Sequence, residues 1–249
     1  MTEVILTRED GQLRGTATGA GPTVLLLHAG GERRDVWAPI AAVLNRRNLR
    51  TVAFDLRGHG ASTGQATDLA TIAADVAAMI RHEPAPVVVV GASLGGLAAI
   101  TALADPRTAH DVAGLILVDV VPQPDPVRAR VWLDEHGLTD VHTELVDDIL
   151  GRARSATADA LASTPDHRDP ACCDRGEIGC LAVPILLVRA GPDSPLADDD
   201  IERFRTTHPG ITVTHVPAAG HLIARDAPDD LARIIGDHAS MWLEQPKVN

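Results

Sequence analysis

The chain has 249 residues, 45% hydrophobic and 22% charged, with a formal net charge of −12. That length suits one large domain with a sizeable core, with room for a small insertion, and the acidic balance argues against nucleic acid or anionic membranes as partners. Aromatic residues make up 2% and Tyr is absent, so the core must be built from Leu, Ile, Val and Ala. Met1–Asp10 combines early acidic residues with no apolar run, and no stretch approaches the roughly 18 apolar residues of a membrane span. Neither a secretory leader nor a span is therefore expected, and a cytoplasmic location is. Cys172, Cys173 and Cys180 are too few for a disulfide framework and lack a second Cys/His pair at zinc spacing. They are expected to be free thiols, with no metal site.

In chain order, Val4–Thr18 reads as an antiparallel hairpin. Thr23–Leu27 is apolar without alternation, as a strand buried on both faces must be. Val87–Val90, Leu115–Val118 and Ile185–Val188 repeat that pattern, and Thr51–Phe54 and Ile211–Val213 are weaker members of the set. Helical stretches stand between them: Ala38–Arg47, Asp68–Arg81 with Leu69, Ile72, Val76 and Ile80 on one face, Leu94–Ala104, Asp198–Thr207 and Pro228–Leu243. Alternation of this kind predicts a mostly parallel, doubly wound sheet with helices on both faces. Residues 123–180 break the alternation. After a Pro-rich entry (Pro122, Pro124, Pro126) come helical pieces near Val127–His136 and Glu144–Ala162 and then an irregular stretch. This predicts a helical cap of residues 123–180 inserted into a core of residues 1–122 and 181–249. It would roof the carboxyl ends of the strands, where ligands bind in such sheets.

The strongest chemical signal is Gly91-Ala92-Ser93-Leu94-Gly95-Gly96, a G-x-S-x-G directly after one strand and directly before a helix. A sharp strand-to-helix turn lifts a serine hydroxyl above the sheet, and small neighbours let the backbone fold that tightly. The helix N-terminus also favours developing negative charge. His28-Ala29-Gly30-Gly31 ends the Thr23–Leu27 strand. Its Gly30 N–H and the Leu94 N–H are the expected oxyanion donors, while His28 reads as structural. Ala219-Gly220-His221 follows the last strand, which makes His221 the expected general base. His59, within Asp55-Leu56-Arg57-Gly58-His59-Gly60, reads as part of a structured turn.

Together, "LLLHAGG…W", "DLRGHGAST", "VVGASLGGLAA", "LILVDVVP", "PILLVRAG" and "AAGHLIARD" resemble the α/β-hydrolase superfamily, in a bacterial esterase- or lipase-like branch, across almost the whole chain. Ala29 departs from the glycine usual after the histidine. The resemblance implies an α/β-hydrolase fold and a nucleophilic Ser93. With Ser at the elbow, it does not imply the Asp-nucleophile mechanism of dehalogenases and epoxide hydrolases, which resemble this fold.

A third group must orient His221. The resemblance places it after the Ile185–Val188 strand, where the usual spacing falls on Ser194 and Asp193 stands one residue early between Pro192 and Pro195. Asp119 ends the Leu115–Val118 strand, which is expected to lie next to the strand bearing Ser93. Asp119 is the preferred acid, Asp193 the alternative, with others such as Asp226 behind them. Asp198–Asp200 reads as a helix start complementing the macrodipole. Arg33 and Arg34 read as solvated, with contact to an anionic substrate as the alternative. Trp37 is expected behind the oxyanion loop, and Trp132 in the cap as a pocket-lining, substrate-binding residue.

The expected activity is hydrolysis of a carboxylic ester or lactone on a small molecule, through an acyl-enzyme on Ser93 and without a cofactor. Carbon–carbon bond hydrolysis or cofactor-free perhydrolysis on the same residues are the rival reactions. A non-catalytic small-molecule binding protein of the same fold is the rival class.

Overall fold

The computed structural model describes residues 1–138, 143–162, 181 and 183–244, with residues 153–162 described as backbone only. The irregular stretch expected after Ala162, with Cys172, Cys173 and Cys180, lies outside the described residues. The strands are β1 (Thr2–Arg8), β2 (Gly11–Thr18), β3 (Thr23–Leu27), β4 (Arg50–Phe54), β5 (Val87–Ala92), β6 (Val112–Val118), β7 (Ile185–Ala190) and β8 (Thr212–Val216). The helices are α1 (Ala38–Arg46), α2 (Leu69–His82), α3 (Leu94–Leu103), α4 (Pro106–Ala109), α5 (Pro126–Glu135), α6 (Thr143–Ala162), α7 (Asp198–Thr207), α8 (Ile223–Asp226) and α9 (Pro228–Glu244).

The eight strands form one sheet in the order β1-β2-β4-β3-β5-β6-β7-β8. β1 and β2 pair antiparallel, β2 joins β4 antiparallel, and every later pairing is parallel. The unbroken apolar runs follow from burial on both faces. Side chains alternate across a strand. Leu25, Leu27, Val87, Val89, Leu115, Leu117 and Leu187 therefore join one buried cluster with residues of α2, α3 and α7. Val24, Leu26, Val88, Val90, Ile116, Val118, Leu186 and Val188 join the other, with α1 and α9.

Register does the functional work of the sheet. Leu27 lies opposite both Phe54 and Gly91, Ala92 opposite Val118, and Ala190 opposite Val216. The loops that leave these strand ends, with His28, Asp55, Ser93, Asp119, Asp193 and His221, consequently gather along one edge of the sheet. α5 and α6 stand between β6 and β7 in the chain. Side-chain ties hold them to the layers below: Arg128 of α5 donates to Asp200 Oδ2 at 2.6 Å, and the Leu69 N–H donates to Asp148 Oδ2 of α6 at 3.0 Å.

A buried ion network fixes the loop after β4. Asp75 of α2 is fully buried and accepts from Arg57 Nε at 2.7 Å, Arg57 Nη2 at 3.0 Å and Arg8 Nε at 2.8 Å. Arg57 also donates to Asp10 Oδ1 at 2.6 Å. One carboxylate thus ties the hairpin, the loop after β4 and α2 together. Removing one partner of such a buried pair strands a charge in low dielectric. Asp75→Ala is expected to lower unfolding free energy by about 3–5 kcal/mol, read from urea denaturation; a loss under 1 kcal/mol would show that the network is not a structural tie.

Candidate active site

Ser93 sits between β5 and α3 at φ 44° and ψ −110°, a left-handed backbone that a non-glycine residue adopts only under constraint. Its N–H donates to Val118 O at 3.2 Å, and its C=O accepts from the Gly96 and Leu97 N–H groups at 3.0 Å each. The two motif glycines explain how the turn closes. A Cβ on Gly91 would stand 2.6 Å from Gly95 O, and a Cβ on Gly95 would stand 2.6 Å from Leu27 O. Only hydrogen at both places lets α3 begin directly against the ends of β5 and β3.

Asp119 is the next residue after β6 and takes φ 51°, a conformation that Asp tolerates better than most residues. Its side chain is fully buried and every contact on it is a donor. His221 Nδ1 lies 2.7 Å from Oδ2, the Ser194 hydroxyl donates to Oδ2 at 2.6 Å, and the Ala190 N–H donates to Oδ1 at 2.8 Å. Against a carboxylate that accepts, His221 Nδ1 is the donor, so in the neutral imidazole Nε2 is the nitrogen with the free lone pair. The His221 N–H donates to Asp193 O at 2.8 Å and the Gly191 N–H to Ala219 O at 2.8 Å, which stitches the histidine loop to the loop after β7. The Asp193 carboxylate faces elsewhere: it lies 3.4 Å from Trp132 Nε1 and 3.7 Å from His136 Nε2, and its side chain is two-thirds exposed. Asp226 accepts the Gly220 N–H at 3.0 Å.

Ser93, His221, Gly30, Leu94 and Trp132 line one cavity that opens to solvent. Trp132 meets the His221 ring edge-on at a centroid distance of 4.5 Å and stacks on His136 at 4.0 Å. Trp37 is fully buried and packs in the same cluster as Ala29 of the loop after β3.

Two basic or acidic groups take places that differ from the sequence reading. Arg34 is not a solvated side chain. It pairs with buried Asp55 through Nη1 at 3.0 Å and through its backbone N–H at 2.8 Å, and so pins the loop after β3 to the loop after β4. Asp200 is more than a helix-start charge: it is buried, accepts the Ala197 N–H at 2.8 Å and holds Arg128. His59 turns its Nδ1 to Arg57 O at 2.9 Å, yet its ring also lines the cavity.

The sequence reading missed two residues at the site. Ser194 had been weighed only as the place where an acid is absent, and it is the hydroxyl on Asp119. Glu32 lies in the loop after β3, where the Ala29 N–H points at its Oε2 at 3.4 Å and partial burial pushes its carboxyl above the usual range. A Glu directly after the two glycines is visible in the sequence; its partial burial is not.

His28 is structural in detail. Its Nδ1 donates to Ala29 O at 2.7 Å and its Nε2 accepts the Leu56 N–H at 2.9 Å. Burial lowers its pKa to about 4, so the folded protein holds it neutral. The unfolded chain takes up a proton near pH 6.5. This contribution to stability is therefore full above pH 6.5 and is lost as pH falls towards 4. Across that window the His28 contribution should fall with a slope approaching about 1.4 kcal/mol per pH unit. Urea denaturation of wild type and His28→Ala from pH 7 to 4.5 reads it as the part of the slope missing from the variant; equal slopes would contradict the assignment.

A sequence model of the alpha/beta hydrolase family matches residues 24–234. Among curated proteins, the chain is similar to protein phosphatase methylesterase 1 of Bos taurus, 39% identical over 109 residues. That stretch is 41% of this chain and only 28% of the bovine protein, so the match spans less than a third of that relative. It is also similar to esterase Rv0045c of Mycobacterium tuberculosis, 28% identical over 257 residues that cover 87% of this chain and 82% of that protein. Among solved structures, a thermophilic esterase from Thermogutta terrifontis matches with a TM-score of 0.67 at 23% identity, covering 97% of this chain and 99% of that one. That last likeness speaks for the fold alone. The family match begins in β3, ends in α9 and takes in the loops that carry Ser93, Asp119 and His221, and on it the chain belongs to the alpha/beta hydrolase family.

Proposed function

We propose that this chain is a serine hydrolase that cleaves a carboxylic ester or lactone, with Ser93 as nucleophile, His221 as base and Asp119 as the acid that orients it. One observation carries the reading: Ser93, on its strained turn at the start of α3, shares a cavity with an imidazole whose Nδ1 lies 2.7 Å from a fully buried carboxylate. That contact fixes the tautomer in which Nε2 can accept a proton. Relatives named esterase and methylesterase support an ester as the bond cleaved. Residues 123–180 act in this reading as a cap over the site, inserted into a core of residues 1–122 and 181–249.

The chemistry follows from the positions. Ser93 Oγ attacks the carbonyl carbon while its proton passes to His221 Nε2, and Asp119 stabilises the imidazolium. The carbonyl oxygen becomes an oxyanion held by the Gly30 and Leu94 N–H groups. Collapse expels the alkoxide, which leaves with the proton from His221, and Ser93 keeps the acyl group. Water then gives a proton to His221 and attacks the acyl-enzyme, releasing the acid and restoring Ser93.

Hydrolysis of short p-nitrophenyl esters and a panel of lactones tests this reading, together with labelling by a fluorophosphonate probe. Ser93→Ala should lose both turnover and label. Asp119→Asn should lower kcat by about 10⁴-fold, because Asn favours the wrong imidazole tautomer, and Asp193→Asn should lose far less. Folded wild type that neither labels nor turns over any ester would overturn the proposal in favour of a binding protein. A carbon–carbon bond hydrolase would label at Ser93 but leave the ester panel untouched, and a perhydrolase would turn over esters faster to the peracid when hydrogen peroxide is added.

A further inference from the structure

Two groups of side chains in the cavity around Ser93 can be told apart by what they pack against. One is aliphatic, made by Leu94 and Leu97 of α3, Val120 after β6, and Leu145, Val146 and Ile149 of α6. Leu94, Leu97, Val120 and Leu145 belong to a single buried cluster, and Ile149 packs against it. The other is the Trp132 indole, edge-on to the His221 ring, with Leu222 beside it. Among the described residues that line the cavity there is no Lys, Arg or Glu; the titratable groups are His59, Asp119 and His221. Asp119 is already saturated by His221, Ser194 and the Ala190 N–H. A charged group carried deep into this space would lose its hydration and meet no partner.

Ester chemistry assigns the two groups. The imidazole that takes the Ser93 proton must give it to the leaving oxygen, so the alcohol half of the substrate lies on the His221 side, along Trp132 and Leu222. The substituent on the carbonyl carbon points away from the imidazole, into the space bounded by α3 and α6.

Resting on the serine-hydrolase reading above, we propose that the substrate is an ester of an uncharged aliphatic acid whose acyl chain runs between Leu97 of α3 and Leu145 and Ile149 of α6, with the leaving alcohol against Trp132. α6 is then the determinant of acyl length and Trp132 the determinant of the alcohol.

The test is steady-state kinetics on two substrate series, with fluorophosphonate labelling of Ser93 in parallel. One series is p-nitrophenyl esters from acetate to dodecanoate, with the p-nitrophenyl monoester of glutaric acid as the charged comparison. The other is acetate esters of alcohols of increasing size. Burying one methylene should raise kcat/KM by about fourfold until the aliphatic space is filled, and the glutarate monoester should fall on the order of tenfold or more below the uncharged ester of matching length. Ile149→Trp should shift the acyl-length optimum to shorter chains and leave the order of the alcohol series in place. Ile149→Ala, which opens the same wall, should shift that optimum to longer chains. Trp132→Ala should reorder the alcohols and keep the acyl optimum. A flat acyl series, preference for the charged ester, or Ile149 variants that act on the alcohol series would overturn the proposal. With Ser93 labelled and acetate turned over, any of these leaves the serine-hydrolase reading intact; an unlabelled Ser93 with no turnover removes both.

Discussion

Asp119 carries a charge into a place that water does not reach, and the arrangement of the site follows from how that charge is satisfied. An unpaired buried carboxylate costs several kcal/mol. Three donors from three positions offset this: the His221 ring, the Ser194 hydroxyl and the Ala190 N–H, at 2.7, 2.6 and 2.8 Å. The end of β6, the end of β7 and the loop after β8 are therefore locked to a single pair of oxygens. The same Oδ2 that receives Ser194 lies against the histidine, so the Ser194 hydroxyl helps to hold the carboxylate that is proposed as the acid. Ser194 Oγ in turn accepts the Leu196 N–H at 3.0 Å, which fixes the hydroxyl's direction.

Around this centre the polar ties are divided by task. His28 links the loop after β3 to the loop after β4, with both ring nitrogens used on backbone. Arg34 and Asp55 hold the same two loops from outside, and Asp55 Oδ2 also accepts the Ala61 N–H at 2.8 Å. Arg57 and Asp75 then tie the second loop to α2. In the proposed reaction a backbone donor that waits for an oxyanion has to be held still before the charge develops, and these contacts join the loop that carries Gly30 to its neighbours. The rest of the cavity lining is mostly apolar, from the aliphatic side chains of α3 and α6 to the Trp132 indole.

α5 and α6 reach the site by two routes. Arg128–Asp200 and Asp148–Leu69 anchor them to α7 and α2, and Trp132 brings α5 directly onto His221. Asp193, which stood as an alternative orienting acid, has its backbone carbonyl on the histidine loop and its carboxylate near Trp132 and His136. Two adjacent positions in one loop thus serve opposite sides of the site, Asp193 towards α5 and Ser194 towards Asp119.

The strands, the helices that cover them and the serine turn can be read directly from the residues, because these are local. Val87–Val90 and Leu115–Val118 are apolar without alternation because both faces are buried, and Gly91 and Gly95 flank Ser93 because a Cβ at either would collide with backbone a few residues or one strand away. Which carboxylate stands beside His221 is settled by long-range packing: the pair is separated by 102 residues, and the local spacing ranks Asp119 ahead of Asp193 without bringing either to the histidine. The strand order, with β6 between β5 and β7, brings the end of β6 beneath the histidine loop, while the turn after β7 presents Ser194 there and faces Asp193 outwards. The lining of the cavity was hidden for the same reason: Leu97, Val120, Leu145 and Ile149 come from three separate stretches of chain, and only packing makes them one surface.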